Sequence, residues 1–183
     1  MDFWEIYDRH YARVRGYAAS MLRDSAASED VVQETFLRAQ SHLESIREPD
    51  KVAAWLFRIA HNLCMDHVRA RKASRIDAAV DPESAATFDP ASVQRDLERG
   101  EMSACVREQV GRLPETDRAV ILLYDIMAFS HQEIADVLGI EAGAVKVRLH
   151  RARKKLRLLL EGACSFERDS QNVLVCEPKV PGR

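Results

Sequence analysis

The stretch Ser130–Leu160, SHQEIADVLGIEAGAVKVRLHRARKKLRLLL, decides the fold of the C-terminal half, because it predicts two helices joined by a tight turn. Ser130 and Glu133 form a capping box, in which the hydroxyl and the carboxylate each satisfy a free amide at a helix start. Gly139 supplies the left-handed residue that ends the first helix, and a second helix begins three or four residues later. A turn of this length that contains glycine is typical of a helix-turn-helix, whose second helix enters the DNA major groove.

The second helix of this pair combines a narrow apolar stripe with a basic face. Its apolar residues recur at helical spacing: Val145, Leu149, Ala152, Leu156 and Leu160. The candidate groove-facing residues lie on the other side: Lys146, Val147, His150, Arg151 and Lys154. Residues 142–160 carry seven basic side chains and no acidic one. A solvated basic helix, or arginines paired with acids upstream, is the plain alternative, but the capped helix and turn in front of it favour DNA binding.

Charge is unevenly distributed along the chain. The 183 residues have a net charge of −2 and a hydrophobic content of 46%, which excludes wholesale disorder. Residues 58–75 carry five basic side chains against one acidic side chain, and residues 142–160 form a second basic island. The rest of the chain is acidic. Two basic islands in an acidic chain predict two contacts with nucleic acid.

The composition argues against several classes of protein. No apolar run approaches the roughly 18 residues of a membrane span, and the N-terminal MDFWEIYDRH carries charges where a signal peptide needs an apolar core. We therefore expect a cytoplasmic protein without membrane insertion. Four scattered cysteines do not form a secreted disulfide scaffold. Without a glycine-rich phosphate loop or a nucleophile–base arrangement, we expect no enzyme, no cofactor and no bound metal.

The N-terminal half predicts three helices. The first continues to about Leu22, and Ser28 is expected to cap the second, with acidic residues in its first turn. Four polar residues then cluster near this exposed helix start: Glu29, Asp30, Gln33 and Glu34. Ordinary capping is the simplest explanation of such a cluster. The third helix runs from about Asp50 to Arg71.

Cations and aromatic residues are interleaved on this third helix. Trp55 and Phe57 lie near its start, and the side opposite its core residues carries Arg58, His61, Asn62, Met65 and Arg69. This mixture suits single-stranded or partly melted nucleic acid, in which bases stack on rings and phosphates pair with cations. Periodicity equally allows Trp55 and Phe57 to be core residues.

Composition and hydrophobic periodicity divide the chain into two all-helical domains, residues 1–72 and 92–160. Residues 73–91 hold two prolines and no sustained period, which predicts a linker. Residues 161–183 form a C-terminal extension, in which the alternation at Val173–Val175 predicts a small hairpin that brings Cys164 near Cys176. Metal binding or reversible oxidation of this pair is one hypothesis. An incidental tail with two unpaired thiols is favoured, since two ligands do not complete a tetrahedral site.

Three blocks of the chain resemble the extracytoplasmic-function group of bacterial sigma factors: DVVQETFLRA (30–39), AAWLFRIAHNLCMDHVRAR (53–71) and LPETDRAVILLYDIMAFSHQEIADVLGIEAGAVKVRLHRARKKL (113–156). The resemblance covers residues 1 to about 160 in the family's order. It implies a subunit that joins core RNA polymerase, recognises promoter DNA and helps to melt it. An anti-sigma factor is a further candidate partner.

The resemblance also implies residue roles. Asp30, Gln33 and Glu34, with Glu29 beside them, match the family's segment that binds the polymerase clamp. The segment that reads the minus-ten element corresponds to the loop 45–52 and the third helix, which gives Trp55, Arg58, His61, Asn62 and Arg69. The positions that face the minus-thirty-five element correspond to Lys146, Val147, His150, Arg151 and Lys154. Family members often carry a small hydroxyl residue where Val147 stands, so we expect apolar contact with a thymine methyl there.

A regulator that binds duplex DNA through the same C-terminal motif, without being a polymerase subunit, is the competing hypothesis. Its N-terminal module would sense a signal or dimerise. The aromatic and basic third helix and the acidic helix start argue against it, because such a regulator has no use for either feature.

Overall fold

The computed structural model describes residues 2–42, 48–77, 104–168 and 174–178. The helices in chain order are α1 (Phe3–Leu22), α2 (Ser25–His42), a 3₁₀ turn (Pro49–Lys51), α3 (Val52–Asp77), α4 (Ala104–Arg112), α5 (Glu115–Ile121), a π-helical turn (Leu122–Ile126), α6 (His131–Leu138) and α7 (Ala142–Ala163). A two-stranded antiparallel hairpin of β1 (Cys164–Arg168) and β2 (Leu174–Pro178) follows α7 directly. The two helical domains expected from the sequence are confirmed.

The N-terminal module consists of α1, α2 and α3, which pack around Tyr17, Leu56 and Phe57, all three fully buried. The interpretation of Phe57 as a core residue is therefore correct, while Trp55 is half-buried and packs against the edge of the core. Helix α3 extends to Asp77, beyond the end expected at Arg71.

The predicted cap of α2 is wrong. Helix α2 begins at Ser25, and its first turn is capped by Asp24, whose Oδ1 accepts the backbone N–H of Ala27 at 3.0 Å. Ser28 lies on the buried side and its hydroxyl donates to the backbone oxygen of Asp24 at 2.5 Å. Asp24 directly follows the left-handed residue that ends α1. Its carboxylate therefore lies next to the free backbone amides of the first turn of α2, whereas Ser28 lies one turn further into the helix. The acidic cluster therefore starts one turn inside the helix.

The C-terminal module contains the predicted helix-turn-helix. The Ser130 hydroxyl accepts from the Glu133 N–H at 3.2 Å, and the Glu133 carboxylate accepts from the Ser130 N–H at 2.8 Å, which confirms the capping box. Gly139 ends α6 with φ of 65°, a left-handed conformation that glycine adopts without strain, and α7 begins at Ala142. Helix α6 therefore begins and ends where the sequence predicts, and α7 begins where it predicts but continues to Ala163, three residues past the expected end at Leu160.

A π-helical turn precedes this motif. The N–H of Met127 donates to the carbonyl of Leu122 at 2.9 Å, and that of Phe129 donates to the carbonyl of Leu123 at 3.0 Å. These bonds span five and six residues instead of the four of an α-helix. The wide turn brings the Met127 carbonyl and the Phe129 ring to the surface that faces the N-terminal module.

The two modules pack directly on one another. Helix α3 lies against α6, while α1 contacts α4 and α5, and the buried residues of both modules form one continuous core. The sequence predicts the modules and their linker, but it does not predict this contact.

Candidate functional site

The exposed face of α7 carries the five residues predicted to read the major groove. Val145, Leu149 and Ala152 are buried and fix the helix on its module. All five predicted residues are exposed on the side away from this stripe: Lys146, Val147, His150, Arg151 and Lys154. Val147 is 51% exposed, so its apolar side chain is accessible from solvent. The structure thus brings the predicted set together on one accessible surface.

The cations of α7 divide into two groups. Three are neutralised within the module: Arg153 pairs with Asp125, Lys155 contacts Asp117 at 2.5 Å, and Arg157 contacts Glu161 at 2.6 Å. The other four make no ion pair among the residues that the structure describes: Lys146, Arg148, Arg151 and Lys154. The unneutralised charge is therefore concentrated toward the N-terminal part of α7, the part of a recognition helix that contacts base edges.

Arg153 holds α7 against the preceding helices. Its Nε donates to Asp125 Oδ2 at 3.2 Å, Nη2 donates to Oδ1 of the same carboxylate, and its guanidinium lies 5.0 Å from the centre of the Tyr124 ring. The Tyr124 ring in turn packs on His131 at 4.9 Å. Asp125 raises the pKa of Arg153 further by accepting these bonds. Sequence reasoning missed this role because Asp125 lies 28 residues upstream, beyond any helical spacing.

The predicted residues on α3 also differ in exposure and pairing. Arg58 and Asn62 are exposed, whereas Arg69, also exposed, pairs with Asp66. His61 turns inward, and its Nδ1 lies 2.8 Å from the Tyr17 hydroxyl. Burial and, to a smaller extent, the nearby charge of Arg148 lower the pKa of His61 to about 4, so this imidazole is neutral at pH 7. In this arrangement Arg58 and Asn62 are the accessible polar groups of the predicted minus-ten face.

The acidic part of α2 borders an aromatic groove. Asp30 and Gln33 are exposed, Glu29 pairs with Arg15 at 2.9 Å, and Glu34 pairs with Arg38 at 2.6 Å. The groove has a volume of about 450 Å³ and is lined by side chains of α1 and α2, among them Phe3, Trp4, Tyr7, Tyr11, Phe36 and Leu37. The sequence does not predict this groove, because it forms only where α1 and α2 pack side by side.

Two exposed residues mark the rim of this groove. Trp4 is 64% exposed and Leu37 is 61% exposed. Exposed apolar side chains next to an acidic edge are typical of a protein-binding surface. The signal available in the sequence was their spacing, because Trp4 and Leu37 fall off the apolar stripes of their helices.

The described cysteines differ in oxidation state. Cys64 is a buried free thiol whose pKa is raised by burial to about 12, which makes it unreactive. Cys164 is buried and disulfide-bonded, so the favoured prediction of an unpaired thiol is wrong at this position. In the hairpin register Cys164 pairs with Pro178 and Phe166 pairs with Cys176, so the two predicted cysteines lie two positions apart. The side chains of Cys105 and Cys176 lie outside the described residues.

The described ranges contain no group of three or more His, Cys, Asp or Glu side chains that could hold a metal ion. None of the helices seen in these ranges combines the length and apolar character that a membrane crossing requires.

Comparison with known proteins matches both modules. Residues 6–74 match the family described as sigma-70 region 2, and residues 103–156 match sigma-70 region 4. The ECF RNA polymerase sigma factor SigL of Mycobacterium tuberculosis is 37% identical over 85% of this chain and 87% of its own length. The RNA polymerase sigma factor SigZ of Bacillus subtilis is 29% identical over 96% of both chains.

The solved structure of CnrH in complex with the cytosolic domain of CnrY has 32% sequence identity to this chain. It matches with a TM-score of 0.62 over 87% of this chain and 88% of that one. Family matches, relatives and fold agree with the order of the two modules and with the helix-turn-helix in the second. The chain therefore belongs to the extracytoplasmic-function family of RNA polymerase sigma factors, which direct the initiation of transcription.

Proposed function

We propose that this sigma factor divides its work among three surfaces: the acidic part of α2 binds core RNA polymerase, α3 reads and helps to open the minus-ten element, and α7 reads the minus-thirty-five element. The observation that carries the proposal is the face of α7. This face carries the exposed Val147 and, on or beside it, the four α7 cations that make no ion pair in the described chain. The other three cations of α7 are neutralised by acids of the same module.

The α7 surface suits duplex DNA. Arg151 and Lys146 carry charges that meet phosphates or the acceptor edge of guanine, and Val147 offers an apolar contact to a thymine methyl. His150 lies between them and supplies a polar ring. A surface that mixes free cations with one apolar residue distinguishes sequences better than a uniformly basic surface, which binds phosphates without regard to sequence.

The α3 surface suits unpaired bases. Arg58 and Asn62 are exposed along one side of the helix, with the half-buried Trp55 near its start and Met65 about one turn beyond Asn62. An amide can bond the edge of a base that has left the stack, and a guanidinium can stack on its face or pair with its phosphate. Such contacts form only when the duplex opens, so they favour melting.

The α2 surface suits a protein. Asp30 and Gln33 are exposed and the aromatic groove lies beside them. An acidic edge next to apolar side chains fits a basic, amphipathic segment of the polymerase. We place the action of the chain in the cytoplasm and assign it no catalytic step of its own. CnrH is solved in complex with a protein, the cytosolic domain of CnrY, so we also propose that a protein partner, the anti-sigma factor expected from the sequence, controls this chain.

Run-off transcription with purified core polymerase on fragments of the source genome tests the proposal. We expect discrete transcripts that require both the chain and core polymerase. A duplex-binding regulator would instead bind its site tightly alone, and addition of core polymerase would yield no transcript. The Arg151→Ala variant is the matched control, because it should lose promoter selection while still joining the polymerase.

A further inference from the structure

The C-terminal hairpin is joined to α7 without a connecting loop. Cys164 directly follows the last turn of α7, its backbone N–H donates to the carbonyl of Leu160, and β1 begins at the same residue. Strand β2 packs against α4, and α4 packs against α7. The hairpin therefore folds back onto the module that carries the DNA-reading helix, and Cys164 lies at the corner between them.

The side chain of Cys164 forms a disulfide at this corner. It is 2% exposed, and its sulfur is bonded to another cysteine. The chain has four cysteines and Cys64 is a free thiol, so the partner within the chain is Cys105 or Cys176. Cys105 belongs to α4 and Cys176 belongs to β2. Either bond fastens the end of α7 to an element that packs on the same module.

A disulfide is unusual in the compartment where this chain is proposed to act. Dithiol proteins and glutathione keep cytoplasmic thiols reduced, and the disulfides that do form there are usually transient or redox-sensing. A subunit of RNA polymerase works in that compartment. The bond at Cys164 is therefore expected to exchange with cellular thiols, unlike the permanent bonds of secreted proteins.

A glycine weakens the last turn of α7, next to the disulfide. Gly162 is exposed, and a side chain added at this position would meet no atom within 4 Å. Neither packing nor a left-handed backbone requires glycine here, and glycine is a poorer helix former than every residue except proline. Helix ends that open locally give solutes access to buried groups. Opening of this turn thus gives a thiol a route to the buried sulfur of Cys164.

We propose that the Cys164 disulfide is a redox modification site, which a cytoplasmic dithiol opens and which, while closed, holds the minus-thirty-five helix on its module. The inference rests on the proposed role and compartment of the chain. A disulfide at the end of the reading helix suits this role, because it acts on the stability of α7 without occupying its DNA-binding face.

The exchange takes place in two steps. One thiolate of the dithiol attacks one sulfur of the bond, the sulfur–sulfur bond breaks, and a mixed disulfide forms while the other cysteine leaves as a thiolate. The second thiol of the reductant gives its proton to that leaving thiolate and then displaces the remaining cysteine. The chain keeps two thiols and the reductant becomes a disulfide. Oxidised glutathione reverses the change and leaves as two molecules of reduced glutathione.

A glutathione redox titration of the free chain tests this chemistry. The chain is equilibrated at a series of glutathione ratios and unfolded in an alkylating reagent, and its peptides are analysed by mass spectrometry. The oxidised chain should take up two fewer alkyl groups than the reduced chain, with Cys64 alkylated in both. We expect the bond to open at cytoplasmic glutathione ratios and to close when oxidised glutathione is raised. A bond that never forms, one that persists in excess dithiothreitol, or one that joins two copies on a non-reducing gel would overturn the proposal.

The Gly162→Ala variant tests the route to the sulfur. Alanine stabilises the last turn of α7, so reduction by dithiothreitol should slow about fivefold, the factor that corresponds to the difference in helix propensity. Gly143→Ala is the matched control, because Gly143 lies near the other end of α7 and also faces open space. Parental rates for Gly162→Ala, or equal slowing in Gly143→Ala, would refute this route.

Closing the bond should stabilise the chain against unfolding. The shorter of the two alternative loops, 164–176, has about 13 residues, and closing it corresponds to about 100-fold in the unfolding equilibrium constant. Urea unfolding followed by circular dichroism compares the oxidised and reduced parent. Cys164→Ser should show no difference between the two conditions, whereas Cys64→Ala should keep the difference because Cys64 is a free thiol. Equal stability of the two parental forms would contradict the role of the bond.

Run-off transcription connects the bond with promoter use. The sigma factor is oxidised or reduced first, the reagent is removed, and holoenzyme is assembled without oxygen. Yields should be equal at low temperature. From the 100-fold ratio, the oxidised form should give about twice the yield where half of the reduced chain is unfolded, and about tenfold where nine-tenths is unfolded.

Cys164→Ser is the control for the polymerase, since its yield should not depend on the treatment of the sigma factor. Parental yields that are independent of treatment at every temperature would overturn the link to transcription. If no form of the chain supports transcription, the proposed function fails, while the alkylation experiment still decides whether the Cys164 bond exchanges with thiols.

Discussion

Replacing Arg151 and Arg153 one at a time with alanine should separate DNA reading from stability, although the two arginines lie only two residues apart on α7. Arg151 is exposed on the groove-facing side. Its loss should weaken binding of the minus-thirty-five element by about 1–3 kcal/mol if it makes a bidentate base contact, or roughly 5- to 150-fold in Kd. The free energy of unfolding should stay within about 0.5 kcal/mol of the parent.

Arg153→Ala should show the opposite pattern. The Arg153 and Asp125 side chains are 49% and 33% exposed, so solvent screening limits their ion pair to about 0.2–1 kcal/mol. The contact with the Tyr124 ring adds about 0.5–1 kcal/mol. We therefore expect the free energy of unfolding to fall by about 1–2 kcal/mol. Promoter affinity should change less than in Arg151→Ala, because Arg153 is already neutralised.

Two measurements check this pair. Urea unfolding followed by circular dichroism gives the stability of each variant. Binding of labelled promoter DNA to reconstituted holoenzyme at several salt concentrations gives affinity and its salt dependence, whose slope should drop by about one for Arg151→Ala if that side chain meets a phosphate. Loss of stability in Arg151→Ala, or an equal loss of DNA binding in both variants, would show that the free and paired cations of α7 do not have separate roles.

Three further predictions concern the N-terminal module. Replacing Asp30 and Glu34 together with alanine should weaken core polymerase binding roughly tenfold while the circular dichroism spectrum is unchanged, and unaltered co-purification with core would count against this surface. Asn62→Ala should spare duplex binding but reduce promoter opening, seen as fewer permanganate-reactive thymines; parental opening would remove Asn62 from the site. The unfolded imidazole of His61 takes up a proton near pH 6.5, but the folded one does so only near pH 4, so stability should fall as the pH drops between these values. By pH 5 the loss reaches up to about 2 kcal/mol, and His61→Gln should lack it in urea unfolding.

The parts of the fold that the sequence predicts are those set by neighbours along the chain. Ser130 with Glu133, and Gly139 after α6, act within one helical turn, so their chemistry alone fixes where α6 begins and ends. The exposed face of α7 follows from the spacing of Val145 and Leu149 for the same reason.

The features that the sequence does not predict depend on contacts with residues far away in the sequence, or on two nearby residues that could both cap the same helix. Arg13 looks like an ordinary surface arginine until Phe129 of the other module meets it, 116 positions later in the sequence. His61 shares the spacing of Arg58 and Asn62, yet Tyr17 of another helix draws it inward. Ser28 and Asp24 are both good caps, and only the conformation of the residue before Asp24 decides between them.

Because of the π-helical turn at Leu122–Ile126, the contacts of the fold depend on the number of residues in this segment. Amino-acid substitutions would not reveal this dependence. Each residue of an α-helix turns the chain by about 100°, so deleting one residue here would rotate the Met127 carbonyl and the Phe129 ring away from Arg13, and would carry Asp125 away from Arg153. Relatives that share this arrangement should therefore vary in residue type between Ile121 and Ser130 while keeping the number of residues constant. An insertion or deletion in that interval would mark a lineage in which the two modules meet differently.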